Sequence, residues 1–440
     1  MRKSFGADGS IDLDAAVDSP DSPTWNDAVQ RQHLRRNYAA LLLDGGFYAA
    51  GSACVAADTV LPTLLKQLGA PTWLVALGPT LGMYGFFVVP FFTSHWVDRL
   101  SGYRNFVAWM SVPQRLAPMV AGLALIFFAD THRTAVLWIV ALAPVMLGMF
   151  GGANVTAFWE LVAKVIPARR RASNLSWRNI MGTSLGFAAG GLIAAVLTRW
   201  PGPRGFGVLY LCTTGFMMLS FVAFFFIREL PNPPGARRAV PGWREKARML
   251  PQWLREDARL RRYVIARTFA SGVTVVTPFL AIHVLRVLGQ PESFLGKLVA
   301  AQMAGAIGGN LLGAWLGDRF GGRVLAQVGG GAAIALSAGA LVNTSEAGFL
   351  AMFALLGVAT FLTQNGAAIL QLELFPAERR PTTIALIALT NLPAMLLCAW
   401  LAKELREIDR GIWPAATAAL VLLLVSQWFF HRLPEPRRRG

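Results

Sequence analysis

Twelve apolar runs, each long enough to cross a lipid bilayer as a helix, dominate the sequence. They lie near residues 38–65, 72–97, 105–128, 135–163, 174–198, 206–227, 263–288, 294–317, 323–342, 347–374, 383–405 and 412–431. About 20 mostly apolar residues span the hydrocarbon core, and lipid accepts only backbone whose hydrogen bonds close internally. None of the runs alternates with period two, as the strands of a membrane barrel would. A polar stretch at 228–262 divides them six and six. Only 15% of the 440 residues are charged, too few to coat the two or three domains of a water-soluble chain of this length. The reading is an all-α polytopic membrane protein with twelve transmembrane helices in two six-helix bundles.

The net charge of +17 follows from loop composition rather than from nucleic-acid binding. With the N-terminus inside, about 29 of the 41 Lys and Arg residues fall in inner segments and about 9 in outer loops, the bias that orients membrane proteins. The inner set includes Arg169-Arg170-Arg171, Arg379-Arg380 and Arg437-Arg438-Arg439, and Arg115, Arg178 and Arg267 lie within spans. Both termini are therefore expected in the cytoplasm, with the protein in the inner or plasma membrane. Residues 1–37 read as a flexible tail, 38–228 as the N-terminal bundle, 229–262 as a linker, 263–431 as the C-terminal bundle and 432–440 as a basic tail. From Trp243, apolar residues recur at helical spacing in the linker (Ala247, Leu250, Leu254, Ala258) among Arg244, Lys246, Arg248 and Arg255, as in a helix lying on anionic headgroups. Cys54, Cys212 and Cys398 are far apart inside apolar runs, which offers neither a disulfide framework nor a metal site.

The halves repeat one another. Asp98-Arg99-Leu100-Ser101-Gly102-Tyr103-Arg104 closes the second span, and Asp318-Arg319-Phe320-Gly321-Gly322-Arg323 closes the eighth, 220 positions later. Pro167-Ala168-Arg169-Arg170-Arg171 follows the fourth span and Pro376-Ala377-Glu378-Arg379-Arg380 the tenth. Equivalent corners in both halves indicate duplication. At these residues the chain resembles the major facilitator superfamily, whose loop signature, roughly G-x-x-x-D-R-x-G-R-R/K, recurs after spans two and eight. The second copy matches it well apart from Ala314 at the leading glycine; the first has Ser94 there and its Gly102 displaced by one. The resemblance implies two bundles rocking about a central cavity, and a cytoplasmic latch built from Asp98, Arg99, Arg104, Asp318, Arg319 and Arg323. Span five carries Gly182, Gly186, Gly190 and Gly191 in a pattern similar to one found in proton-coupled exporters of the superfamily, with Phe187 in place of its proline. Small residues four apart permit close helix approach, here expected against the opposite half.

A charge at the bilayer centre costs at least ~2.5–3.5 kcal/mol, so it faces a cavity or a partner. Asp44 and Asp58 share the first span on nearly one face, about 21 Å apart along a straight helix, and Tyr48 follows Asp44 by one turn. Glu160 and Lys164 stand an i,i+4 step apart and are placed to pair with each other. Arg178 lies one turn inside span five and is expected to pair with Asp44 or Glu160. Asp44, Asp58, Glu160 and Arg178 are thus the coupling candidates. Asn154, Trp159, Arg267, Gln364, Asn365 and Asn391 join Tyr48 as groups able to orient a solute in the cavity.

No GxxxxGK[ST] loop supports ATP-driven transport, no filter loop or Arg-rich sensor supports a channel, and no HExxH or His-rich cluster supports a metal site. The sequence calls for no enzyme activity and no cofactor. Its expected partners are a small-molecule substrate, protons and lipid, with the chain acting as a monomer. The leading function is secondary transport of a small organic solute by alternating access, as proton-coupled export. Import of a small polar metabolite, or a non-transporting assembly or sensor role on the same fold, are the alternatives.

Overall fold

The computed structural model describes residues 23–97, 100, 102–229, 252, 254–374, 380–408 and 411–434. Asp98, Arg99, the two chain ends and the start of the expected amphipathic helix lie outside them. Fifteen α-helices and no strands are found among the described residues. They are α1 Pro23–Cys54, α2 Val60–Gln67, α3 Thr72–Leu77, α4 Leu81–Val97, α5 Arg104–Phe128, α6 Arg133–Val165, α7 Ala168–Arg199 and α8 Pro203–Phe225. In the second half follow α9 Ala258–Ala270, α10 Val273–Leu288, α11 Leu295–Phe320, α12 Gly322–Val342, α13 Glu346–Leu374, α14 Arg380–Ile408 and α15 Trp413–His431. Nine segments among the described residues are long and apolar enough to cross a membrane, consistent with the twelve expected paths. Large apolar side chains face outward, with Trp109 74% and Val342 82% exposed, as a lipid-facing surface requires.

Two expected spans are broken, at matching places in the two halves. The first stops at Cys54, where the Ala56 carbonyl accepts from the backbone N–H groups of Thr59, Val60 and Leu61, and restarts as α2. The seventh stops at Ala270 and restarts at Val273, with the Ser271 and Gly272 amides turning back onto Thr268 and Phe269. At the other end, α1 begins at Pro23 rather than after residue 37. Two of its polar residues, Arg36 and Asn37, serve the C-terminus of α8, whose last carbonyls have no helical partner. Arg36 donates to the Phe226 carbonyl at 2.7 Å, and Asn37 donates to the Arg228 carbonyl and accepts from its amide.

Packing repeats between the halves. In the first, α1 lies against α7 and α8, α4 against α6, and α5 against α6 and α8. In the second, α9 and α10 lie against α14 and α15, α11 against α13, and α12 against α13 and α15, the same neighbours six spans on. Glycines set the tightest crossings in both: a Cβ on Gly148 would overlap the Gly82 carbonyl, and one on Gly357 the Gln302 carbonyl. The loop arginines match as well. Arg104 donates to the Ile227 carbonyl beyond α8, and Arg323 to the carbonyls of His431 and Leu433 at the end of α15. Gly321, with φ +83°, makes the abrupt turn from α11 to α12 that a side chain would resist.

The hydrophobic core shows how the halves meet. At the end remote from the chain termini, one continuous cluster joins both, with Leu61, Leu64 and Leu65 of α2 beside Val276, Phe279 and Leu280 of α10. At the termini end the clusters separate. One, around Leu41, Val107 and Leu161, is confined to the first half, and another, around Tyr263, Leu370 and Phe430, to the second.

Candidate functional site

A cavity of about 680 Å³ lies between the halves. Its first-half wall is largely apolar and aromatic, made by Tyr48, Met83, Phe86, Phe87, Tyr210 and Met217, and Ser52 also faces it. Its second-half wall carries Arg267, Gln364, Gln371 and Asn391. Arg267 comes from the last turn of α9, just before the break, and its Nε is buried with no hydrogen-bond partner. Asn391 of α14 is 6% exposed, and its Oδ1 likewise lacks a partner. Gln371 donates at 2.8 Å to the Tyr263 hydroxyl, which donates on to the Ala367 carbonyl at 3.0 Å. Four of the seven expected cavity groups, Tyr48, Arg267, Gln364 and Asn391, thus line one space. The other three do not line it. Asn154 is buried and donates to Ser111 Oγ at 3.2 Å, Trp159 is 46% exposed and stacks edge-on with Phe158, and Asn365 is half-buried.

Behind the apolar wall, the first half holds a buried polar network. Asp44 accepts from Ser220 Oγ at 2.7 Å and faces Arg178 Nη2 at 3.7 Å. Arg178 also lies over the Phe158 ring, 4.9 Å from its centroid. Arg115, which sequence places inside a span with no partner assigned, donates to Ser220 Oγ, to the Met217 carbonyl and to the Ser111 carbonyl. Its neighbour Gln114 donates to the Tyr48 hydroxyl at 2.9 Å. A hydrogen-bonded path therefore runs from the Asp44 carboxylate through Ser220 and Arg115 to the backbone of Met217, which lines the cavity, and Gln114, next to Arg115 in α5, holds Tyr48 on the same wall. Two guanidinium groups serve one carboxylate here.

Glu160 takes no part in this network. It is exposed at the end of α6, and Lys164, its expected i,i+4 partner, instead pairs with Glu229 at 3.1 Å. Glu229, assigned by sequence to the linker, belongs to the first half: its carboxylate also accepts from the backbone amides of Tyr103 and Arg104 at the start of α5, where four helix N–H groups lack partners. Among the expected latch residues, Arg104 and Arg323 hold carbonyls of their own half, and Arg319 lies over the rings of Trp315 and Phe320.

The remote end is sealed by α7 against α11 and by α3 and α4 against α14, two contacts equivalent under the repeat. A Cβ on Gly190 would lie 2.6 Å from the Gly296 carbonyl oxygen, and one on Gly186 2.9 Å from Met303 Sδ. Gly182 instead meets Ala49 of its own half, and Gly191 faces open space, so the four glycines do not form one packing face. Thr59, at the break after α1, donates to Gln302 Oε1 of α11 at 3.3 Å, with Asp58 beside it. Gly202 donates its amide to Glu292 at 3.2 Å across the loops, and burial holds the Glu292 carboxyl above its ordinary pKa despite that bond. Among the described residues, no three His, Cys, Asp or Glu side chains gather as metal ligands.

The family profile described as Major Facilitator Superfamily matches residues 58–391. No curated protein sequence matches significantly. Among solved structures, the chain is similar to a D-xylose-proton symporter, with TM-score 0.68 and 13% identity over 92% of this chain and 99% of that one. It is also similar to a bacterial homologue of the iron transporter ferroportin in its inward-facing state, with TM-score 0.66 and 16% identity over 91% of this chain and 100% of that one. An outward-facing structure of such a homologue gives TM-score 0.60 at 16% identity, covering 90% and 98%. The duplicated packing, the cavity between the halves and the profile match agree: the chain is a multi-pass membrane transporter that belongs to the major facilitator superfamily.

Proposed function

We propose that the protein is a secondary transporter that carries a small organic solute by alternating access, as a proton-coupled exporter. One observation carries the reading: the hydrophobic core is continuous between the halves at the remote end and divided at the termini end, with the cavity between. That is the arrangement of one state of a rocking pair. With the termini in the cytoplasm, as the basic loops favour, this is the inward-open state. The higher TM-score against the inward-facing homologue, 0.66 against 0.60, supports the assignment.

Asp44 is the proposed proton acceptor. Protonation would loosen its contact with Arg178, and the Ser220–Arg115 and Gln114–Tyr48 contacts would carry the change to the cavity wall. The units that rock are residues 38–229 and 263–431, with the linker between them, and the loop arginines exchange carbonyl partners when the termini end closes. The aromatic half of the cavity favours an amphipathic solute, hence export over import of a small polar metabolite.

Disulfide locking tests the reading without a known substrate. Thr59→Cys with Gln302→Cys, in a background lacking Cys54, Cys212 and Cys398, puts one thiol in each half at a contact that the native side chains make at 3.3 Å. A third cysteine at Ser52, on the cavity wall, reports access. In reduced protein an impermeant maleimide should label it from both membrane faces, and after oxidation from the termini face alone. Labelling from both faces in the locked protein, or from one face under both conditions, refutes alternating access here.

A further inference from the structure

The cavity holds one cation and, among the residues that line it, no carboxylate. Among the described residues, Arg267 has no ion pair or side-chain hydrogen bond, and its Nε is buried and unpartnered. An uncompensated charge at membrane depth is costly and persists where a cavity ligand can answer it. A guanidinium offers a planar fork of donors that fits a carboxylate or phosphoryl group through two parallel bonds. Asn391, Gln364 and Gln371 supply neutral amides on the same wall, so the polar contacts converge on one side. On the opposite wall, Met83, Phe86 and Phe87 form an apolar patch beside Tyr48 and Ser52 that suits an apolar body. Beyond it the field has the same sign, because Arg115 and Arg178 exceed the single Asp44 in the buried network.

We infer that the transported solute is an amphipathic organic anion, its carboxylate or phosphate head held by Arg267 and its apolar body held against the Met83–Phe86–Phe87 wall. This rests on the cavity being the transport site, and it names the substrate class of that site. Two halves that each recognise one end of the solute would also be drawn together by it, which links binding to rocking.

The test uses one apolar body with three heads: 2-naphthoate, 2-naphthamide and 2-naphthylmethylammonium, titrated by fluorescence into the purified full-length protein. Naphthoate should bind about tenfold or more tighter than the amide, the scale of one charge-assisted hydrogen bond of roughly 1.5–3 kcal/mol, and the ammonium should bind weakest. Arg267→Gln should remove the preference, bringing naphthoate to the level of the amide, with a monodisperse elution profile and a native-like melting transition reporting the intact fold. Arg267→Lys should keep part of the preference, and Phe86→Ala should weaken all three alike. Competition by phosphatidylglycerol would assign the head site to a lipid phosphate, and its absence to a soluble anion. A wild-type protein that does not favour the carboxylate, or an Arg267→Gln protein that keeps the preference, overturns the inference. Because this is equilibrium binding, it stands or falls independently of the locking experiment.

Discussion

Gly190 sits where the two halves touch. A methyl group there would lie 2.6 Å from the Gly296 carbonyl oxygen and 2.7 Å from Ala300 Cβ, while ordinary contact begins near 3.4 Å, so α7 and α11 must part by about 0.8 Å. Overpacking a close contact costs about 1–3 kcal/mol. The strain exists only while the remote end is closed, so it acts on the equilibrium between the two states rather than on folding. A difference of about 1–3 kcal/mol changes that equilibrium roughly 5–150-fold. Gly190→Ala should therefore shift the population toward the state open at the remote end. Spin labels on exposed Asp130→Cys and Thr344→Cys, one per half at that end, read the shift by pulsed dipolar spectroscopy as growth of a longer-distance component. Gly182→Ala is the matched control: its methyl would lie 2.6 Å from Ala49 Cβ, equally crowded but within one half. An unchanged distance distribution in monodisperse Gly190→Ala protein, or an equal shift in Gly182→Ala, would refute the assignment of the α7–α11 contact as the moving seal.

Asp44→Asn keeps an acceptor for Ser220 Oγ, bonded at 2.7 Å in the native protein, but removes the charge facing Arg178. In vesicles loaded with 2-naphthoate, proton-driven movement should stop while exchange at equal pH continues; loss of both in folded protein would make Asp44 a solute contact instead. Asp44→Ala, which leaves buried Arg115 and half-buried Arg178 without their carboxylate, should lower stability by about 3 kcal/mol in a denaturant titration, the low end for a broken buried pair, and a loss under 1 kcal/mol would show that the network contributes little. Glu292 gives the remote end a pH dependence. Its carboxyl titrates above the ordinary 4.5 because closure buries it, so the closed state binds the proton more tightly. Acidification should then favour closure, an effect fully present below 4.5 and lost as pH rises through the shifted value. The Asp130–Thr344 distance should lengthen over that rise, with Lys66 and Arg286 lining the same vestibule, and Glu292→Gln should hold the short distance throughout. A Glu292→Gln protein that still responds as wild type would assign the effect to another group.

How far the sequence could be read follows from which interactions are periodic. The spans and the duplication were legible because lipid imposes one requirement, about 20 apolar residues, on every crossing, and because the loop after α4 recurs after α11. The pairing of Arg178 with Asp44 was within reach because two lone charges in neighbouring spans have few other partners. The breaks at 55–59 and 271–272 were not, since each sits inside a run apolar enough overall to cross as one helix, and the first declares itself only when the amides after Ala56 turn back on one carbonyl. Arg115 and Glu229 were missed for a different reason. Their partners, Ser220 and the start of α5, are more than 100 residues away along the chain, and local spacing instead suggested Lys164 with Glu160.

The breaks also explain why the unpaired polar atoms are where they are. A continuous seventh span would present Arg267 as one more lipid-depth charge on a straight helix. Ending α9 at Ala270 lets the segment that follows, α10, pack against α2 and α3 of the other half at the sealed end, while α9 stays with α14 and α15 beside the cavity. The same division holds in the first span, where α1 carries Asp44 and Tyr48 beside the cavity and α2 carries Leu61, Leu64 and Leu65 into the shared core. Each broken span thus has one segment committed to its own half and one committed to the seal. A solute bridging Tyr48 and Arg267 would pull on the first kind of segment in both halves at once, and the seal made by the second kind is what that pull acts against.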